Sequence, residues 1–234
     1  MLRKENLVPG EYYHIYSRTM FNSPEFKDSK QASRLEQAFL ISNSTKSSQI
    51  YQFLRNNPDA TIQDAVKILN SGKKLVDILC YVIMPDHYHL LMREIKENGI
   101  TNFIRSSNTS IAKYINIKNN RRGPLFESRF KSKHINSNAY LKHLSLYIHL
   151  NPLDFLINKE WRNHKLPNWS EAKNKLLNYR CSSLEYFLNS NSKNPILSGA
   201  KIITGQFDDE KEYENFLHDW SEENLGEIKD LCID

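Results

Sequence analysis

The apolar positions of residues 12–18, after the turn pair Pro9-Gly10, are aromatic and β-branched, which predicts a β-strand. Asp28 then stands where an N-cap belongs, and Ala32, Leu35, Ala38 and Phe39 recur at helical spacing, so a helix is expected over 29–41. A polar link, residues 43–48, leads into two short helical patterns on either side of Pro58. The second carries Ile62, Ala65, Ile68 and Leu69 and stops at Ser71-Gly72. Residues 43–72 therefore read as an insertion between the first helix and the second strand. Strands are expected over about 75–83 and 87–93, joined by Met84-Pro85-Asp86. A helix carrying Phe103, Ser107, Ile111, Tyr114 and Ile115 follows, then a basic turn at 119–124 and a fourth strand over 125–135. Leu141, Leu144, Leu146 and Ile148 mark a further helix over 137–151 that ends before Pro152.

The order β-α-β-β-α-β predicts an α+β fold with a ferredoxin-like, RRM-like sheet, in which the first and third strands are central. Extra helices are expected beyond residue 152, where Tyr213, Phe216, Leu217 and Trp220 fall at helical spacing. The organisation read from this is a main domain over 1–190 and an acidic helical extension over 191–234.

Charge sharpens that division. The chain of 234 residues has a formal net charge of +5, yet residues 207–234 hold 11 acidic side chains against Lys211 and Lys229. The rest of the chain is net +14, which suits a polyanionic partner such as nucleic acid. Cys80, Cys181 and Cys232 are too few and scattered for a disulfide framework, and no apolar run is long enough to cross a bilayer. With no apolar signal segment near Met1, the expectation is a cytoplasmic protein without a membrane partner.

Candidate chemistry sits on the third predicted strand. His87 and His89 are two residues apart, so they share one face about 7 Å apart along it. Such a pair can hold one cation if a third ligand arrives from elsewhere, although a half-exposed sheet face is the simpler reading of the pair alone. Tyr147 and Asn151, four apart on a helix, bring a phenol and an amide to one face. In the fourth strand Arg129, Lys131 and Lys133 share a face beside Arg121 and Arg122, a track suited to phosphates. Arg18, Arg105 and Lys113 complete the expected DNA contacts, with Tyr13, Tyr16 and Tyr88 as candidate stacking platforms for bases.

Taken together, Met84-Pro85-Asp86-His87-Tyr88-His89-Leu90-Leu91 resembles the HUH motif of single-tyrosine transposases, in the form found in the REP-associated tyrosine transposase branch. Residues 123–131 are similar to a strand segment of that branch, and 147–152 to its Tyr-Ile-x-x-Asn-Pro signature. The Ser182-Ser183 segment matches the part that follows. Tyr88 is larger than the aliphatic residue usual between the histidines, and the 43–72 insertion is long for the family. The resemblance implies a metal-dependent endonuclease and strand transferase acting on single-stranded or hairpin DNA through a 5′-phosphotyrosine. It implies His87, His89 and Asn151 as ligands of Mg2+ or Mn2+, Tyr147 as nucleophile, and allows a homodimer. The rival readings are a non-catalytic RRM-like nucleic-acid-binding module and an HUH nickase domesticated by its host.

Overall fold

The computed structural model describes residues 6–162, 166 and 168–222. The acidic stretch 223–234, with Cys232, and the side chain of Leu69 lie outside the described residues. Four strands form one antiparallel sheet: β1 (Tyr12–Arg18), β2 (Val76–Ile83), β3 (His87–Glu94) and β4 (Lys131–Ile135), in the order β2-β3-β1-β4. The expected α+β arrangement is present, with the first and third strands central. The His-x-His strand lies mid-sheet, hydrogen-bonded on both edges.

Alternation along these strands divides the molecule into two cores. Tyr13 and Ile15 of β1 and Tyr88, Leu90 and Met92 of β3 point to one side. There they pack under α1 (Ser29–Ser42) and α4 (Gly99–Lys118), through Leu35, Phe39, Phe103 and Ile111. Asp28 caps α1 as expected, its carboxylate accepting from the Lys30 amide at 2.8 Å. Tyr13, Tyr16 and Tyr88 are 2%, 1% and 0% exposed. All three are packed inside the protein, so none is a ready platform for a base.

The opposite side of the sheet is covered by α5 (Asn138–Leu150), whose Leu141, Leu144, Leu146 and Ile148 are buried as expected. Ser137 caps α5 by accepting from the Tyr140 amide. Around α5 pack the shorter α6 (Leu153–Leu156), α7 (Trp169–Asn178), α8 (Leu184–Leu188) and α9 (Lys201–Thr204), with α10 (Glu210–Glu222). Tyr213, Leu217 and Trp220 of α10 join the same apolar cluster as α5. The 43–72 stretch forms a helical hairpin, here α2 (Ser47–Asn56) and α3 (Ile62–Asn70). Its small cluster of Ile41, Ile50 and Ala65 stands apart from both main cores. No helix among the described residues is long and apolar enough to cross a membrane.

One boundary differs from expectation: β4 begins at Lys131, not at residue 125. Leu125 and Phe126 turn inward to the α1/α4 core, and Phe126 bridges Thr19 just beyond the end of β1. Tyr16 pairs with Lys131, so the ladder is broken by extra residues at 127–130, a bulge that carries Arg129 outside the regular strand.

Candidate active site

The site lies at the end of the sheet where β1 finishes and β3 begins. Side chains on the α5 side of those strands are His14 and Tyr16 from β1 and His87 and His89 from β3. The rings of His87 and His89 are 5.0 Å apart, centre to centre. His14 stacks on His89 at 5.1 Å, and its Nε2 lies 2.9 Å from His89 Nδ1, a hydrogen bond in which one ring donates. His87 Nδ1 lies 2.6 Å from Asp86 Oδ1. Burial pulls the Asp86 carboxyl upward, but the hydrogen bond and charge of His87, with the charge of Arg18, hold it below the usual carboxylate range. An ionised Asp86 accepts the Nδ1 proton and fixes the His87 ring.

His89 is fully buried. Burial first, and then the positive neighbours His87, His14, Arg162 and Arg18, hold its imidazole pKa well below the ordinary value, so the ring is neutral. A neutral imidazole whose Nδ1 is taken by an orienting partner is the form that ligates metals. In both members of the pair Nδ1 is taken, in His87 by Asp86 and in His89 by His14.

Helix α5 brings Tyr147 over the pair. Its ring stands edge-on to His89 at 5.6 Å and to His14 at 6.2 Å, and its residue is 2% exposed. Arg162, in the short turn Lys159–Arg162, lays its guanidinium 5.2 Å from the centre of the Tyr147 ring. The same guanidinium is forked onto Asp154, Nε to Oδ1 at 2.7 Å and Nη2 to Oδ2 at 3.1 Å. Trp161 Nε1 also donates to Asp154, at 2.9 Å. Arg162 Nη2 donates to Asn151 Oδ1 at 2.6 Å, so the carboxamide oxygen expected to face a cation is held by an arginine. Asn151 Nδ2 is buried and has no hydrogen-bond partner among the described residues. The two imidazoles thus fit a metal, whereas the third donor is engaged elsewhere. No group of three His, Cys, Asp or Glu side chains among the described residues is arranged to hold one.

A buried polar chain fixes the rotation of α5. His149 Nδ1 meets the Tyr213 hydroxyl at 2.7 Å, and its Nε2 meets Ser183 Oγ at 2.8 Å. Ser183 Oγ in turn accepts from the Tyr81 amide of β2. Burial pushes the His149 pKa down to about 3, so this ring also stays neutral. The Ser182-Ser183 segment lies along the edge of β2, with Val82 bridging Ser182 and the Ile83 amide bonded to Cys181. One turn of helix therefore carries Tyr147 toward the sheet while its neighbour His149 anchors to α10 and β2.

The basic residues expected to bind DNA do not form one surface. Lys131 and Lys133 pair across from Tyr16 and His14 on the histidine side, and Lys131 Nζ lies 5.2 Å from the Tyr16 ring centre. Arg18, at the end of β1, stands 5.3 Å from the same ring. Arg122 and Arg129 are exposed nearby, and Arg121 is paired with Glu25 at 2.6 Å. Arg105 and Lys113 are exposed on α4, in the opposite layer.

Four site residues were not singled out from sequence: His14, Asp86, Asp154 and Arg162. His14 and Tyr16 share a face by period two, a signal visible in the strand, but nothing marks their partner 75 residues away. Arg162 lies in a Trp-rich stretch with no motif at all.

Residues 44–151 match a family model described as "Transposase IS200 like", a span a little under half of the chain. No curated protein matches this chain. A solved structure described as "Structure of the REP associates tyrosine transposase bound to a REP hairpin" aligns over 85% of this chain and 91% of its own, at 14% identity and a TM-score of 0.48. The matched span runs through the paired histidines to Tyr147 and Asn151, and across residues 44–151 the chain is similar to the IS200-like transposases.

Proposed function

We propose that this protein cleaves and rejoins single-stranded or hairpin DNA by transesterification on Tyr147, within the transposition chemistry of that family. The observation that carries the reading is the Tyr147 ring edge-on to His89 with the Arg162 guanidinium against it. The phenol oxygen attacks the scissile phosphorus, the bond from phosphorus to the 3′ oxygen breaks, and the phenol's proton ends on that departing oxygen. One phosphoester replaces another, so a 3′-hydroxyl can later reverse the step and join strands without ATP.

Within this reading His87 and His89 hold a divalent cation, Mg2+ or Mn2+, with Asn151 the proposed third donor through the Oδ1 lone pair that the Arg162 bond leaves open. Such an ion supplies Lewis-acid stabilisation of charge on the phosphoryl oxygens. Asp86 and His14 orient the two rings, and Arg162 positions both the phenol and the Asn151 carboxamide. Arg18, Arg121, Arg122, Arg129, Lys131 and Lys133 bind backbone phosphates near the site. Arg105 and Lys113 would meet only a strand that wraps around to the α4 layer. Residues 1–190 carry the chemistry, and the 191–234 extension acts on it through the Tyr213 contact to α5. Tyr147 stands over its own chain's imidazoles, so a homodimer is not required to complete the site. A cytoplasmic location goes with the same reading.

An RRM-like module that only binds would use exposed aromatics on the central strands, and the burial of Tyr13, Tyr16 and Tyr88 speaks against it. The test is incubation with labelled hairpin-bearing single-stranded DNA and Mn2+, read by denaturing gel and intact mass. Wild type is expected to form a covalent adduct. Tyr147→Phe is expected to lose it completely while binding stays within a few-fold, and an adduct from the Phe variant would remove Tyr147 from its role.

A further inference from the structure

Just past β1, in the turn Met20–Asn22, two consecutive residues other than glycine hold positive φ, Phe21 at 57° and Asn22 at 52°. Asparagine tolerates that region; for a residue as bulky as phenylalanine it is a true outlier, kept only where surrounding contacts over-determine it. Those contacts are present. Thr19 is fully buried, and its Oγ1 donates to the Ser23 carbonyl at 2.7 Å and to the Asp86 carbonyl at 2.9 Å. The Thr19 amide bonds the Asp86 carbonyl, the Met20 amide the Leu125 carbonyl, and the Phe26 amide the Pro85 carbonyl. Phe26 then drops into the α1/α4 core against Phe126.

The product of this bracing is a side chain in water. Phe21 is 88% exposed, and its ring meets no other ring or cation among the described residues. A strained, rigid turn that drives an aromatic ring outward has no packing rationale. Its surroundings supply another. The turn is tied to Asp86, the residue that orients His87, and on its other flank to the 121–127 segment with Arg121 and exposed Arg122. Arg18 lies three residues upstream, on the same end of the sheet.

We propose that Phe21 is the base-stacking platform of this protein, presenting its ring to an unpaired nucleobase of a single strand whose phosphates lie along Arg18, Arg121 and Arg122. The inference rests on the single-strand reading above and names the aromatic that serves it, in place of the three tyrosines that fold inward. Stacking is tolerant of sequence, so the platform takes any unpaired base.

The test uses the full chain and a dT-rich single strand carrying one central 2-aminopurine, whose fluorescence falls on stacking. Wild type is expected to quench the probe; Phe21→Ala is expected to lose the quench and to bind about tenfold more weakly. Phe21→Trp should keep both properties. Phe21→Gly is the discriminating variant, since glycine adopts φ near +57° freely: it should melt about 2–4 °C higher than wild type while binding as weakly as the Ala variant. A purely structural Phe21 would instead leave quench and affinity unchanged in all three variants, which overturns the proposal. Overturning it as well would be a change in sedimentation without a change in binding, the mark of a surface for a second copy. If wild type forms the Tyr147 adduct while Phe21→Ala binds normally, only the platform fails. If wild type neither binds nor cuts single strands, the function itself fails.

Discussion

The two sides of the sheet share the same strands and do opposite work. Toward α1 and α4, β1 and β3 send Tyr13, Ile15, Tyr88, Leu90 and Met92 into a core closed by Phe39 and Phe103. Toward α5 the same strands send His14, Tyr16, His87 and His89, all buried, and His14 and His89 meet the Tyr147 ring on which Arg162 lies. The apolar side holds the sheet by area removed from water, which is indifferent to the orientation of any one ring. The histidine side has to satisfy directional bonds one by one, and it does so with Asp86, Asp154, Ser183 and Tyr213. A sheet braced on one face can carry a buried polar arrangement on the other.

Disturbing the histidine side should therefore remove chemistry and leave the fold, and the reverse should hold for the other side. The largest effect is expected from His87→Ala with His89→Ala, which should lower metal-stimulated cleavage at least about 100-fold while the far-UV spectrum is retained. Unchanged metal-dependent cutting by that double variant would remove the pair from the site. Arg162→Ala comes next, with cleavage lowered about 10–100-fold and only partial recovery in Arg162→Lys, because an ammonium cannot reproduce the planar fork onto Asp154 and Asn151. Arg34, stacked on Tyr114 on the other side, is the matched control, and its Ala variant should cleave as wild type.

Smaller again is the phosphate track. Replacing Lys131 and Lys133 by Gln should reduce the salt dependence of single-strand binding, lowering the slope of log K against log salt by about 1.4. The Arg105 and Lys113 pair on α4 should change it less. Equal slopes for the two double variants would show that DNA uses both layers.

The smallest effect lies on the apolar side, at Glu36. Burial raises its carboxyl pKa above the ordinary 4.5, despite a hydrogen bond from the Tyr81 hydroxyl at 2.9 Å. A raised acid favours the fold when protonated, so its contribution is present below about pH 4.5 and lost as pH rises through the folded value. Glu36→Gln keeps an acceptor for Tyr81 without the charge. It should melt about 2–4 °C above wild type at pH 7.5 and show no such gain at pH 4.5. An equal shift at both values would assign the effect to something other than ionisation.

Local pattern determined a great deal here. Aromatic and β-branched content placed β1 at its observed bounds, and period two put His87 and His89 on one face and set Lys131 and Lys133 on a common side. Period 3.6 located α1 and α5 and joined Tyr147 to Asn151, and the βαββαβ order carried the central position of the His-x-His strand. These are properties of backbone geometry, repeated every two or four residues, so a short window of sequence contains them. Tertiary structure alone decided the rest. It closed Asn151 with Arg162, paired His89 with His14, began β4 late by drawing Phe126 into the core, buried three tyrosines and left one phenylalanine in water. Each of those outcomes is a competition between partners distant along the chain for one volume of space, and no local spacing records which partner wins.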